Sequence, residues 1–183
     1  MMSTLLALAL TAAPTVDVWL SGTSVGFAPA LGGVGGGAQV ALVPVRTKHL
    51  ALLTGVRLQL DATSAFGGLV SPLAVTELRW APHARLWLGL GLSAGAAVLV
   101  PTAPGFDFDE GNARRAATRL TASFRATVSL SVGTQVAAGP LDLAPAIRLD
   151  QSLLVGFATM GGIPLLPLSS LSLVVGFTPR EIP

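Results

Sequence analysis

RLTASFRATVSLSVG, residues 119–133, is the stretch that decides the fold of this chain. Every second position from Leu120 is apolar: Leu120, Ala122, Phe124, Ala126, Val128, Leu130 and Val132. The intervening positions are polar or glycine: Arg119, Thr121, Ser123, Arg125, Thr127, Ser129, Ser131 and Gly133. Successive side chains of a strand point to opposite faces, so the segment forms a ribbon with one apolar and one polar surface. Its 15 residues far exceed the usual strand of about five or six. A long strand with two sharply different faces suits a transmembrane β-barrel, where lipid lies on one side and a polar interior on the other.

Seven further segments carry the same period to varying degrees. Residues 15–27 set Val16, Val18 and Leu20 against Asp17, Trp19, Ser21 and Thr23. Residues 38–45 and 50–62 follow, the second with Leu50, Leu52, Val56, Leu58 and Leu60 opposite Arg57, Gln59 and Asp61. In residues 70–80, Ala74, Leu78 and Trp80 oppose Glu77 and Arg79. In residues 85–100, Leu86, Leu88, Leu90 and Leu92 oppose Trp87, Gly89, Gly91 and Ser93. Leucine there suits lipid, and glycine suits a narrow interior that must admit large neighbours. Residues 141–152 carry Pro145, which strands tolerate mainly at edges or irregularities. Residues 168–178 place Leu171, Leu173, Val175 and Phe177 on one face. Glycine-rich 28–37 has loop chemistry, as do 63–69, 101–116 and 156–167, whereas 46–49, 81–84 and 137–140 read as tight turns. Long and short connections then alternate, as they do in up-and-down outer-membrane barrels.

Composition agrees with this reading. The 183 residues are 51% apolar and only 11% charged, with a mean hydropathy of +0.71. That excludes disorder and leaves too few charges for a water-facing surface, which ordinarily carries about 25–35%. The 21 glycines and 13 prolines argue against long helices. A helical membrane protein is the alternative for the long uncharged stretches 18–45 and 151–179. Cysteine is absent, which removes disulfides and Cys-based metal sites. The Lys and Arg residues are not clustered as a nucleic-acid footprint requires. Residues 1–13, with an apolar run from Leu5 to Ala13, read as a secretory signal peptide, leaving 14–183 as one barrel domain.

Placement of charge is the strongest test. Asp17, Arg57, Asp61, Glu77, Arg79, Arg119, Arg125, Asp142, Arg148 and Asp150 all fall in the polar register of their segments, five acids and five bases. An arginine facing lipid near the midplane costs about 2–4 kcal/mol, and a charge sealed inside survives only when paired. Hairpin geometry is expected to bring Arg57 near Glu77 and Arg125 near Asp150. These ions form a self-neutralising core that plugs an eight-stranded barrel, whose interior is just wide enough for side chains.

The pattern resembles the small eight-stranded outer-membrane β-barrels of the OmpA/OmpX type, on alternation, strand count and interior charge over about residues 15–178. The resemblance implies an all-β, antiparallel up-and-down barrel, apolar outside and polar inside, in the outer membrane of a Gram-negative-type envelope. It implies membrane lipid and the barrel-assembly machinery as partners, with Phe177 serving as the terminal aromatic. Lipopolysaccharide or surface ligands would be met through loops, chiefly 101–116. No catalytic, cofactor or metal residues are assigned. His49 and His83 sit in short turns, and the acidic group Asp107, Asp109, Glu110 reads as solvated loop. The function expected is structural or surface-interacting. A small pore or carrier for ions or apolar molecules is the alternative, and a lipid-modifying barrel enzyme a lesser one.

Overall fold

The computed structural model describes residues 14–25, 28–63, 67–83, 85–100, 121–160 and 163–179. All regular structure among them is β. The strands are β1 (Pro14–Val25), β2 (Ala28–Arg46), β3 (Leu50–Thr63), β4 (Gly67–His83), β5 (Leu86–Val100), β6 (Thr121–Thr134), β7 (Val136–Ala138), β8 (Leu141–Met160) and β9 (Ile163–Pro179). The helical alternative is thereby overturned: the described parts of 18–45 and 151–179 are strand.

Each strand pairs antiparallel with its neighbours in the order β6-β5-β4-β3-β2-β1-β9-β8-β7, and a β6–β8 pairing closes the sheet into a barrel. The three-residue β7 continues β6. Gly133 faces Ala146 and Val136 faces Leu143, so three residues elapse on both sides of the break and the register is unbroken. The break lies beside Pro145, whose missing N–H removes a ladder bond. Counting β6 and β7 as one interrupted strand, the barrel has eight.

The ladders also fix its shear. Paired residues run from Pro14 through Leu42, Thr54, Thr76, Leu92, Val128, Gln151 and Ser169 back to β1 at Ser24. One circuit therefore advances ten residues along β1, from 14 to 24. With a rise of ~3.3 Å per residue and strands ~4.8 Å apart, that shear tilts the strands by roughly 40° and leaves a bore that side chains can fill.

Two expected loops prove to be strand. Residues 28–37 belong to β2, and Ala28 and residues 32–37 pair with β1, Trp19 lying opposite Gly37. Of 156–167, all but 161–162 lies in β8 and β9, and Met160 pairs with Ile163. Among the described glycines, only Gly67 and Gly139 have positive φ. Glycine in β2 supplies room, not backbone freedom: a Cβ on Gly37 would stand 2.6 Å from Cζ2 of Trp19. Intervals between strands at the end opposite the tight turns accordingly shrink to 26–27, 64–66 and 161–162. Only 101–120 is long. The signal segment 1–13 and the loop 101–116 lie outside the described residues.

Side chains sort as the strand period demands. Leu20, Leu92 and Leu173 are 76%, 61% and 69% exposed on the outside, joined there by Leu88, Leu90, Phe124 and Leu130. The interior is lined mainly by hydroxyls, amides and ions, with Trp19, Trp87, Leu53, Leu73 and Val75 buried among them, a polarity largely opposite to that of a soluble barrel.

Candidate functional site: the charged lumen

Eight of the ten ionisable residues read as inward-facing meet inside the barrel: Asp17, Arg57, Asp61, Glu77, Arg79, Arg125, Arg148 and Asp150. They are four acids and four bases. Asp142 lies instead at the short-turn end, where it accepts a 3.0 Å hydrogen bond from Nε2 of Gln135. Arg119 lies outside the described residues.

Among the described residues, the loop-end half of the lumen contains one ion pair. Arg125 is fully buried, and its Nη1 donates to Oδ2 of Asp61 at 2.6 Å and to Oγ of Ser71 at 3.2 Å. Its Nε and Nη2 both donate to Oγ of Ser152, at 3.2 and 3.0 Å. Thr23 and Gln59 donate to the other carboxylate oxygen of Asp61, each at 3.2 Å. The pair links β6 to β3, which are not neighbours in the ring, so it crosses the interior. One inward position nearer the loop end, Leu69, Leu154 and Leu168 succeed Ser71, Ser152 and Ser170, and Leu99 pairs with Leu69. These four leucines are all buried and flank the pair: Leu69 stands opposite Asp61 in the β3–β4 ladder and Leu154 opposite Arg125 in the β6–β8 ladder.

The short-turn half is a shared network. Arg57 donates from Nε to Oε1 of Gln39 at 2.9 Å and from Nη1 to Oγ of Ser129 at 3.3 Å, and stands 3.8 Å from Asp150. Arg148 donates to Oδ2 of the same Asp150 at 3.0 Å. Arg79 bridges Glu77 at 2.8 Å and Asp17 at 2.9 Å. Gln39 also donates to Asp17 at 3.4 Å, joining the two sets. Two tryptophans are built into this half. Arg148 and Arg57 lie over the Trp19 ring at 4.2 and 5.5 Å, and Arg79 lies over Trp87 at 4.4 Å. Such stacking lowers the cost of burying a guanidinium. The rings pack with Ala146 and Val174. Room for Trp87 comes from Gly133, where a Cβ would stand 2.5 Å from its Cζ2.

Arg57 does lie within electrostatic reach of Glu77, as expected, but the ion pairs differ from the expected ones. Arg57 pairs with Asp150 rather than Glu77, and Arg125 with Asp61 rather than Asp150. Hairpin adjacency governs neighbours along the wall, but a long guanidinium reaches across a bore of this width. Sequence reasoning also misses two of these inward leucines. Leu69 falls within an expected loop, and Leu154 lies past the expected end of its strand. The signal is present in register: both continue the inward files Leu69–Ser71 and Ser152–Leu154. His49 and His83 are exposed at the short-turn rim, and Nδ1 of His49 lies 3.1 Å from the Ala81 carbonyl oxygen. Among the described residues, no group of three potential metal ligands comes together.

Eight antiparallel strands closed with a shear of ten, apolar outward and ion-paired inward, define a β-barrel of the outer-membrane type. The crystal structure of Neisserial surface protein A (NspA) is similar, with a TM-score of 0.53 and 14% identity over 92% of this chain and 96% of that one. A structure from the de novo design of transmembrane β-barrels aligns with a TM-score of 0.40 and 12% identity, over 90% of this chain and 94% of the other. At 14% identity the likeness to NspA is one of fold. No protein-family model matches the chain, and no curated protein matches it significantly.

Proposed function

We propose that the protein is an integral outer-membrane barrel with a sealed lumen, acting as a structural or surface-interaction protein and not as a conduit or catalyst. Its binding, if it recognises a lipopolysaccharide or surface ligand, resides in the long loop 101–116. The observation that carries this reading is the buried Arg125–Asp61 bridge across the bore, flanked by buried leucines, with the arginine network towards the short-turn end. An ion entering the lumen would have to break charge-assisted hydrogen bonds in two successive layers, each electrically neutral. Desolvated pairs of this kind resist disruption, because separating them strands a buried charge.

Refolding into lipid vesicles tests the membrane assignment. Insertion should give heat-modifiable gel mobility and a β-type circular dichroism spectrum. The sealed lumen is tested in a planar bilayer, where the protein should produce no stable current steps. Reproducible ohmic steps would replace this reading with the small-pore alternative, while leaving the membrane assignment intact.

A further inference from the structure

Charge outside the lumen is distributed unevenly among the described residues. Arg46, Lys48 and Arg85 are exposed on the short-turn rim, and Asp142 is the only described acid there. The three cations belong to two neighbouring turns, β2–β3 and β4–β5, whereas Asp142 opens β8 after the β7–β8 turn. The cationic turns are tied together. The Ala81 N–H donates to the His49 carbonyl at 2.8 Å, and the His49 ring meets the Ala81 carbonyl oxygen. The first turn is itself pinned: Thr47 N–H donates to the Leu50 carbonyl at 2.7 Å, and Leu50 N–H donates to Oγ1 of Thr47 at 3.0 Å. The cations are thus carried on an ordered platform.

Directly beside this platform the apolar belt begins. Val45, Leu50, Trp80 and Leu86 are all exposed on the outer surface, and Trp80 pairs with both Leu50 and Leu88. Tryptophan concentrates where hydrocarbon meets headgroups, because its ring is apolar and its N–H polar. Cations one turn beyond such a residue lie at the depth of lipid phosphates. We propose that the Arg46–Lys48–Arg85 sector is a binding surface for anionic phospholipid headgroups of the leaflet at the short-turn end. The neutral lumen contributes no competing field, so attraction arises from the rim alone. This inference rests on the membrane-barrel reading.

Each cation near an anionic surface strengthens association on the order of fivefold at moderate salt, and the effect is screened within a Debye length. The test uses the full chain refolded into phosphatidylcholine vesicles carrying small amounts of dibrominated phosphatidylglycerol or dibrominated phosphatidylcholine. Quenching of Trp80 is isolated by subtracting the Trp80→Phe protein, since Trp19 and Trp87 are buried in the lumen. The brominated anionic lipid should quench several-fold more effectively than its zwitterionic counterpart at equal mole fraction. That preference should fall towards unity at high salt (about 0.5 M), where the Debye length is only a few ångströms. It should fall likewise in a triple variant Arg46→Gln, Lys48→Gln, Arg85→Gln with wild-type gel mobility. Equal quenching by the two lipids in the native protein would overturn the proposal, as would a preference that survives the triple variant. A chain that inserts normally yet shows no preference removes this inference alone, whereas one that fails to insert removes the membrane reading with it. Should the variant fold poorly, the salt titration of the native protein decides the matter by itself.

Discussion

The two halves of the lumen solve the problem of buried charge differently. At the loop end, among the described residues, one arginine faces one aspartate, supported by hydroxyls and flanked by buried leucines. At the short-turn end three arginines share three carboxylates and stack on two tryptophans. An isolated pair is strong while intact but fails completely when one member is lost. The shared network degrades by steps at Asp150, which has both Arg57 and Arg148 beside it and keeps a cation when either is lost. The loop-end half should therefore be the brittle one, although it contains fewer charges.

The largest expected effect follows from that brittleness. Arg125→Ala leaves Asp61 buried with only the neutral donors Thr23 and Gln59. Stranding a buried charge costs about 3–5 kcal/mol, to be read as a fall in the urea midpoint for the vesicle-inserted protein, followed by gel mobility. A double variant, Arg125→Met with Asp61→Leu, should recover most of that loss, since an apolar replacement of a buried pair is often neutral. If the double variant is as unstable as the single one, the pair is not the source of the effect. Next in size is Gly133→Val, which drives a side chain into Trp87. Overpacking of this sort costs about 1–3 kcal/mol. It should also shift the tryptophan emission, whereas Arg125→Ala, remote from both lumen tryptophans, should leave emission unchanged while folded.

The same contrast explains what the amino-acid order reveals. β6 is legible because lipid and lumen impose opposite demands on alternate residues, and Phe124, Val128 and Leu130 leave no ambiguity beside Arg125 and Ser129. The glycine-rich half of β2 is illegible locally. Gly37 yields space to the Trp19 ring on β1, and Gly35 to Asp61 and Ser21, partners that become known only once the strands are paired. Which charges point inward can be read strand by strand, because that depends on period two alone. Who pairs with whom cannot, because Arg57 and Asp150 sit on strands that meet only across the closed bore, at heights set by the shear of ten. The inward leucines are hidden for a related reason: apolar residues inside contradict the simple rule of a polar interior, and only the continued period of two marks Leu69 and Leu154 as facing inward.

The smallest of these effects separates a shared network from a set of independent pairs. Arg148→Met removes one donor to Asp150 and the closer cation over Trp19. Arg57 still stands 3.8 Å from the same carboxylate and can close that gap, so Asp150 is not stranded. The unbranched methionine fills much of the vacated volume and keeps a polarisable contact with the indole. What remains to be lost is one charge-assisted hydrogen bond and a cation–π contact, together about 1–3 kcal/mol. The urea midpoint should therefore fall by less than in Arg125→Ala. Adding Arg57→Met to the same protein should then cost more than either change alone predicts, because the second substitution removes the last cation from Asp150. Strict additivity of the two would show that each arginine acts independently, and the proposed difference between the halves of the lumen would disappear.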